Sequence, residues 1–173
     1  MNHKSEKRTL LLTKQSPFLP KRKESIINLR PYRPSDVSAL AELFYQTVHS
    51  VNRRDYTAEQ CRVWATGHPD LSAWDASFQA HRTWIAEEDG HIMGFTDLDV
   101  EAGYLDRLYV HKDAQRRGVG TALCDAAEAC ARAAGVRRLE THASITARPF
   151  FAARGYALLR EQKVERGGIL LKN

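Results

Sequence analysis

A glycine-rich stretch before an amphipathic segment holds the residues that are best suited to chemistry. It reads HKDAQRRGVGTAL over residues 111–123, with two adjacent arginines and two glycines one residue apart. Backbone N–H groups at a helix N-terminus bind anions, and glycines let a phosphate approach the backbone closely. The candidate anion-binding residues are Gln115, Arg116, Arg117, Gly118, Val119, Gly120 and Thr121. The stretch predicts a pyrophosphate site, with a plain strand-to-helix connection as the alternative.

Two common phosphate-binding motifs do not fit this stretch. A P-loop ends in Gly-Lys-Ser/Thr, whereas residues 120–122 read Gly-Thr-Ala. A dinucleotide fingerprint needs a third glycine and must directly follow a strand. Leu123 stands in the third glycine position, and seven residues separate the apolar strand pattern ending at Val110 from Gly118. A P-loop and a Rossmann dinucleotide site are therefore excluded.

Hydrophobic spacing predicts the elements that must position this stretch. A helix over residues 118–134 carries an apolar stripe on one face, and Gly135 is placed to end it. A β-hairpin turning at Asp89-Gly90 and a third strand over residues 103–110 precede this helix. The helix and the glycine stretch at its start are thus expected to follow an antiparallel meander.

The remaining predicted elements give a mixed α and β order. Before the hairpin they are a strand over 26–30, a helix capped by Ser35, a helix opened by Thr57 and a helical piece over 75–81. After the long helix they are a strand over 137–144, a helix over 146–154, a strand over 156–164 and, past Gly167-Gly168, a strand over 169–172. The order predicts an α/β (α+β) fold.

Length and charge limit the domain organisation and the partners. The chain has 173 residues and a net charge of +5. Residues 1–25 hold seven basic and two acidic residues, and the other 19 basic and 19 acidic residues balance. We interpret residues 1–25 as a flexible basic N-terminal extension and residues 26–173 as one domain. Because the domain has no net charge and no apolar run of about 20 residues, we expect a cytoplasmic protein that binds neither nucleic acid nor membrane. A nucleic-acid-binding extension is a distant alternative.

Cysteines and histidines show no spacing typical of disulfides or metal ligands. Cys61, Cys124 and Cys130 fit small, partly buried hydrophobic residues. The seven histidines contain no H-x-x-x-H pair. The sequence therefore predicts no metal site.

Several segments occur in an order that is typical of one superfamily. Gln-x-x-Gly-x-Gly follows LYVHKDA, and WIAEEDGHIMGF, HASITARPFFAARGY and ERGGILL accompany it along the chain. Together they resemble the GNAT superfamily, the Gcn5-related N-acetyltransferases, over roughly Ile26 to Leu171, most closely its small bacterial members. The resemblance implies a mixed, mostly antiparallel central sheet flanked by helices and splayed at the strand that binds acetyl-CoA.

The resemblance also implies roles in binding acetyl-CoA. Backbone groups at the end of the splayed, bulged strand would pair with pantetheine and hold the acetyl carbonyl. The residues at that strand end are Leu108, Tyr109 and Val110. Gln115 to Thr121 would bind the pyrophosphate. Ser144 and Phe150 match positions that line the thiol and pantetheine, and core packing is equally open for Phe150.

The implied reaction moves the acetyl group to a primary amine of a small molecule or peptide. An alkylammonium has a pKa near about 10.4 and must lose a proton before it attacks. The candidate bases are Asp97, Asp99, Glu101 and Asp106. We favour Asp106 as the catalytic residue, with Tyr104, since both share strand parity with Leu108 unless a bulge intervenes.

Two positions depart from the family pattern. Phe151 stands where many members have a tyrosine that protonates the leaving thiolate, and Tyr156 fits a packed strand residue better. The last strand ends at Asn173, so we expect a strand that is truncated or completed by a partner, in a monomer or homodimer. A catalytically silent acyl-CoA sensor and transfer of a longer acyl group are the alternatives.

The acceptor pocket is expected to come largely from residues 50–81. The candidate acceptor-binding residues are Trp64 and Trp74 from this segment, with Asp97 from the meander. Core packing is the alternative role for both tryptophans. The sequence does not identify the acceptor.

Overall fold

The computed structural model describes residues 27–172. The strands are β1 (Asn28–Pro31), β2 (Arg82–Glu88), β3 (His91–Asp99), β4 (Tyr104–Val110), β5 (Lys163–Arg166) and β6 (Ile169–Lys172). The helices are α1 (Val37–Ser50), α2 (Ala58–Trp64), α3 (Leu71–Ala80), α4 (Val119–Ala133) and α5 (Arg148–Ala153). Among the described residues, no helix is both long and apolar enough to cross a membrane. The predicted extension over residues 1–25 lies outside the described range.

Four strands form an antiparallel sheet in the order β1-β2-β3-β4. Asp89 and Gly90 join β2 to β3 with φ angles of 49° and 78°, as a two-residue hairpin turn requires. α4 packs on one face of the sheet, and α1 and α3 pack on the other. β5 and β6 form a separate hairpin, with β6 against α2. The predicted fold class is therefore confirmed.

Two predicted strands are largely wrong. Residues 137–144 contribute one isolated parallel bridge, between Glu140 and Tyr104, and residues 156–164 become a strand only at Lys163. Beyond that bridge, residues 137–144 do not pair with β4, and residues 156–162 form no strand. The two adjacent leucines of the second segment remain 55% and 66% exposed.

Side-chain caps set the starts of α2 and α3. Thr57 accepts a hydrogen bond from the N–H of Gln60 at 3.1 Å and caps α2 as predicted. Asp70 accepts from the N–H of Ala73 at 3.0 Å, so α3 begins four residues before the predicted span of 75–81. α1 is preceded by a 3₁₀ turn.

The N-cap of α1 is Asp36 instead of the predicted Ser35. The Asp36 carboxylate accepts from the N–H of Arg33 and from the guanidinium of Arg30, both at 2.8 Å. These bonds bury a charge that Ser35 could not supply, and they fix α1 to β1.

Gly94 marks the closest approach between α4 and the sheet. A Cβ at this position would lie 2.7 Å from the backbone oxygen of Tyr109, 3.0 Å from Val119 and 3.1 Å from Leu123. Because a backbone carbonyl cannot swing away as a side chain can, only glycine fits here. This contact seats the first turns of α4 against β3 and β4.

We expect Gly94→Ala to lower the free energy of unfolding by about 1–3 kcal/mol, because the added methyl group overpacks this contact. Urea denaturation measures the change. Gly120→Ala is the matched control, since its Cβ would lie 3.6 Å from Val110 and 3.7 Å from Phe150, at ordinary contact distance. Equal stabilities of the wild type and Gly94→Ala would contradict the packing argument.

Candidate functional site

A bulge in β4 decides which side chains reach the candidate site. Asp97 pairs with Arg107 and Leu98 pairs with Leu105, which leaves Asp106 as an extra residue between the two pairs. The extra residue shifts the alternation of side chains by one position. Asp106 consequently projects at the point where β4 turns away from its neighbour, and it lines the cleft described below.

The bulge places Tyr104 on the face opposite Leu108. Tyr104 pairs with Asp99, whereas Leu108 pairs with Thr96, and these two β3 residues point to opposite faces. The Tyr104 ring packs against His142, with centroids 5.2 Å apart. Burial raises the pKa of the Tyr104 hydroxyl. The shared parity that the sequence predicts in the absence of a bulge therefore does not hold.

β4 and the segment after α4 separate beyond a single pairing. The N–H of Leu105 donates to the carbonyl of Glu140, and the N–H of Glu140 donates to the carbonyl of Gly103, both at 2.9 Å. A cleft of about 680 Å³ then opens between β4, the start of α4 and the loop before α5. The splay at this strand is confirmed.

Alternate residues of β4 direct their backbone groups into the cleft. The N–H of His111, just after β4, donates to the carbonyl of Met93 at 2.8 Å and so points toward β3. In an antiparallel ladder every second residue points its N–H and C=O groups the other way. Leu108 and Val110 therefore face the cleft with their backbone groups, and Tyr109 faces β3.

Two side chains fix the end of β4 through the carbonyl of Val110. The hydroxyl of Thr47 donates to this oxygen at 3.1 Å, and the side-chain amide of Gln115 donates at 2.7 Å. Gln115 thus holds the glycine turn against the strand with the group that was expected to meet a phosphate. The cleft-facing backbone groups that remain are the N–H and C=O of Leu108 and the N–H of Val110.

The turn before α4 presents backbone N–H groups to the cleft. Arg116 and Gly118 have left-handed φ angles of 62° and 85°, and such residues make neighbouring N–H groups converge into an anion-binding nest. The first N–H groups of α4, from Val119 to Thr121, have no partner within the helix. A Cβ on Gly118 would meet no atom within 4 Å, so the space above the turn is open.

The two arginines of this turn have different placements. Arg116 lines the cleft. The guanidinium of Arg117 pairs with Glu88 at 2.6 Å, which ties the turn to the end of β2. Arg116 therefore lies at the cleft, whereas Arg117 holds the turn to the end of β2.

Ser144 and Phe150 line the cleft from the segment that leads into α5 and from α5 itself. Phe150 lies against Gly120, where an added Cβ would be 3.7 Å from its ring, and the Arg154 guanidinium covers the ring at 5.6 Å. The hydroxyl of Ser144 accepts from the N–H of Ala147 at 3.1 Å and leads the chain into α5. Both residues line the cleft, as their predicted roles require.

Two loops are joined across the cleft by contacts that the sequence does not reveal. The N–H of Ile145 donates to the hydroxyl of Tyr56 at 2.9 Å. The hydroxyl of Thr146 donates to Asp55 at 2.8 Å, and Arg54 donates to the carbonyl of Thr146 at 3.4 Å. The loop before α2 is thereby held to the loop before α5.

The two candidate acceptor tryptophans are in different surroundings. Trp64 lines the cleft, and a hydrogen bond joins it to the hydroxyl of the partly buried Tyr109. Trp74 packs against Phe44 and Phe78 with centroid distances of 5.3 and 5.7 Å, and the Arg107 guanidinium lies over the Trp74 ring, 5.3 Å from its centroid. Trp64 is therefore placed at the cleft, whereas Trp74 packs within the cluster beneath α3.

A network of charged side chains adjoins Asp106 on the face opposite α4. Asp97 is fully buried, and its Oδ2 lies 2.6 Å from Nδ1 of His81 and 2.9 Å from the guanidinium of Arg107. The same guanidinium lies 3.2 Å from Asp106 and donates to Ser77 at 3.0 Å. Asp97, predicted to contact the acceptor, has no exposed surface and instead orients His81 and Arg107.

The pKa values in this network shift for different reasons. Burial raises the pKa of Asp97, against the opposing effects of His81 and Arg107. The hydrogen bond to Asp97 raises the pKa of His81. His81 was not predicted from the sequence, because only strand register brings the end of α3 beside Asp97. The one signal in the sequence was the position of His81, a titratable residue directly before the strand β2.

His81, Asp97 and Asp106 offer nitrogen and oxygen atoms that lie within 4.8 Å of one another. Arg107 bonds to Asp97 and approaches Asp106, so a guanidinium already supplies positive charge between the two carboxylates. The described contacts are those of an ion-pair network, and the absence of a metal stays a prediction.

The two aromatic residues considered for the thiolate position both pack in the interior. Phe151 is buried at the base of the cleft, with its ring 5.0 Å from that of Tyr156. The hydroxyl of Tyr156 donates to Glu128 at 3.2 Å. Burial raises the pKa of Tyr156. Tyr156 is therefore a packed residue, as the sequence suggested.

Comparison with known proteins adds an independent line of evidence. Residues 52–173 match a family model described as an acetyltransferase (GNAT) domain. The uncharacterized N-acetyltransferase YafP of Escherichia coli strain K12 is 30% identical over 147 residues, which are 85% of this chain and 92% of that protein.

Solved structures show the same relationship. A crystal structure of a GCN5-related N-acetyltransferase from Rhodopseudomonas palustris is 37% identical, with a TM-score of 0.81, and covers 86% of this chain and 92% of its own. The PaiA N-acetyltransferase from Thermoplasma acidophilum, crystallised in complex with coenzyme A, is 16% identical with a TM-score of 0.66, over 85% of this chain and 96% of its own. The second likeness is one of fold.

Proposed function

The chain belongs to the GNAT acetyltransferase family, and from this premise we propose that it transfers the acetyl group of acetyl-CoA to a primary amine of a small molecule or peptide. The observation that carries the proposal is the cleft between β4 and the start of α4. One end of that cleft suits a pyrophosphate, and the other suits a thioester beside a carboxylate. The complex of the Thermoplasma relative with coenzyme A supports this donor.

The turn before α4 fits a pyrophosphate in both shape and charge. Its convergent N–H groups and the positive end of α4 attract anions. The space above Gly118 is open, Gly120 adds no side chain of its own, and Arg116 adds a cation at the cleft wall. Gln115 contributes by holding the turn to Val110.

The exposed edge of β4 fits the amide groups of pantetheine. An extended chain can add to a sheet edge by bonding to its free N–H and C=O groups. Leu108 and Val110 supply such groups, and Phe150 and Ser144 form the opposite wall. The N–H of Leu108 lies next to the bulge and would donate to the acetyl carbonyl, where negative charge develops during the reaction.

Asp106 is the proposed base. The amine nitrogen forms a bond to the acetyl carbon as the C–S bond breaks, and the nitrogen must give up a proton. The Asp106 carboxylate projects from the bulge into the cleft, and its side chain is 31% exposed. Since Phe151 has no proton to donate, the released thiolate takes its proton from solvent. Tyr104, on the opposite face, takes no step in this scheme.

The acceptor would approach past Trp64 at the cleft wall. Trp64 is fixed by its hydrogen bond to Tyr109 and by the Tyr56 ring, whose centroid is 5.1 Å away. A rigid aromatic wall beside a carboxylate suits an amine carried on an apolar stem. Asp97 is buried behind the cleft wall and would act only through His81 and Arg107, which it orients.

An acceptor screen tests the proposal. Acetyl-CoA is mixed with ethanolamine, benzylamine, putrescine or lysine methyl ester, and thiol release is followed with a colorimetric thiol reagent. We expect amine-dependent thiol release with at least one of them. Phe151 favours a second candidate, a catalytically silent acyl-CoA sensor, because this position lacks the usual acid. Tight CoA binding without thiol release for any amine would support the sensor and refute the transferase.

A further inference from the structure

We propose that His81, oriented by the buried Asp97, takes up the proton that Asp106 removes from the acceptor amine. The inference rests on the proposed function and deepens it, because it identifies the group that accepts the proton from Asp106. His81 would act through Asp106 without touching the amine, as a positioning and proton-accepting residue. Four observations carry the inference, and each concerns a different property of the network.

The first observation is distance. A ring nitrogen of His81 and a carboxylate oxygen of Asp106 lie within 4.8 Å of each other. Two atoms bridged by one water, with hydrogen bonds of about 2.8 Å each, are separated by roughly 4.5 Å. A single water is therefore enough to pass a proton between them. The His81 side chain is 18% exposed, so the proton can leave to solvent from there.

The second observation is orientation. Nδ1 of His81 bonds to Oδ2 of Asp97 at 2.6 Å, which directs Nε2 away from the buried carboxylate. A carboxylate behind a histidine fixes its tautomer and stabilises its protonated form. His81 follows the last residue of α3, and Asp97 lies inside β3, so rigid elements hold both residues.

The third observation is an unsatisfied atom. Oδ1 of Asp97 is buried and accepts no hydrogen bond from the described residues. A buried carboxylate oxygen without a donor is costly, and a proton on this carboxylate would lower that cost. Asp97 also has a raised pKa because of its burial. The pair can therefore hold an additional proton.

The fourth observation is the charge around His81. The charged groups that face it are Asp97 and Asp99 from β3 and Asp106 and Arg107 from β4. Three carboxylates outnumber one guanidinium, so the surroundings favour the imidazolium over the neutral ring. In agreement, the pKa of His81 is raised from its ordinary value.

A relay through histidine reduces a mismatch in basicity. A carboxylate is a much weaker base than an alkylamine and therefore accepts a proton poorly from an alkylammonium group. An imidazole with a raised pKa lies between the two. In the step, the N–H bond of the amine breaks, and the proton moves to Asp106 and through water to a ring nitrogen of neutral His81. His81 becomes cationic, and Asp106 is again an anion.

The pH dependence of turnover tests the relay. Only neutral His81 can accept the proton, so turnover should rise with pH through the pKa of His81. Asp97→Asn removes the carboxylate that raises this pKa, and we expect the rising limb to move about one pH unit lower. NMR titration of the His81 ring, assigned with His81→Gln, should show the same shift without any acceptor. Turnover is measured with the best amine of the panel named above.

Matched variants separate the relay from a structural role. His81→Gln should lose the rising limb near neutral pH and about tenfold of turnover, whereas His91→Gln, at the exposed start of β3, should keep both. His81→Gln also covers the case in which Asp97→Asn fails to fold. If the rising limb of the pH profile is unchanged in His81→Gln or in Asp97→Asn, the relay is refuted and the proposed function is not affected. Absence of turnover with every amine would overturn the proposed function, and the relay with it.

Discussion

Gly120→Glu is expected to abolish CoA binding in a folded protein. A Cβ at this position would lie 3.6 Å from Val110 and 3.7 Å from Phe150, so the first atom of the side chain fits without strain. The remaining atoms then extend into the cleft and place a carboxylate among the N–H groups that we assign to the pyrophosphate. The new side chain would occupy the site and repel the ligand. We expect a loss of affinity above about 100-fold, which corresponds to about 2.7 kcal/mol.

Two variants at the same position separate charge from volume. Gly120→Gln has nearly the same size without the charge and should lose less affinity than Gly120→Glu. Gly120→Ala should bind CoA nearly as the wild type does, since its methyl group makes ordinary contacts. Isothermal titration with CoA gives the three affinities, and circular dichroism verifies the fold. A folded Gly120→Glu protein with unchanged affinity would refute the pyrophosphate site at the start of α4.

The features near Gly120 were predictable because they are local in sequence. An apolar stripe, a glycine at each end and a polar face define α4, and the structure places it over Val119–Ala133 within the predicted 118–134. The Asp89-Gly90 hairpin depends in the same way on two residues that adopt positive φ angles. The caps at Thr57 and the meander before α4 likewise follow from neighbouring residues.

The features that depend on strand register were not predictable. One extra residue in β4 separates Tyr104 from the face of Leu108 and brings Arg107 onto Asp97. No local sequence pattern predicts this bulge, because its position depends on which β3 residue pairs with each β4 residue. His81 joins the same network from the end of α3, sixteen residues before Asp97.

Apolar runs also led to wrong strand predictions where the structure has no neighbouring strand for them to pair with. Residues 156–164 begin with the apolar run YALL and were predicted as a strand, but β4 and the segment carrying Glu140 diverge, and only Lys163 and Val164 of these residues join a strand. The surroundings of Trp64 and Trp74 were likewise not predictable from the sequence. Both are large aromatic residues on short helices, yet one lines the cleft and the other packs against Phe44.

Asp106→Asn is expected to lower turnover by about 10²- to 10³-fold, within the usual range for loss of a general base. CoA affinity should stay nearly constant, because the glycine turn and the backbone of Leu108 are unchanged. The protein should also remain folded. The ion pair with Arg107 is 31% exposed on the Asp106 side, and such pairs contribute about 0–1 kcal/mol.

Asp99→Asn is the matched control for charge. Asp99 is also a candidate base, its side chain is 36% exposed, and its Oδ2 lies 4.0 Å from Nε2 of His81. Asp99→Asn removes one negative charge from the same network but none from the cleft lining. We therefore expect its turnover to stay within a few-fold of the wild type. Equal losses in both variants would mean that the field of the cluster, and not a base at Asp106, sets the rate.

The basicity of the acceptor gives a second and sharper test of Asp106. Methoxyamine is a weakly basic amine that is unprotonated at neutral pH, so it can attack the thioester without a general base. An alkylamine must first lose a proton. Loss of Asp106 should consequently cost much more with the alkylamine than with methoxyamine, measured as thiol release under the same conditions. If Asp106 instead only shapes the cleft, both amines should lose turnover equally, because a displaced cleft wall does not distinguish a protonated nucleophile from a neutral one.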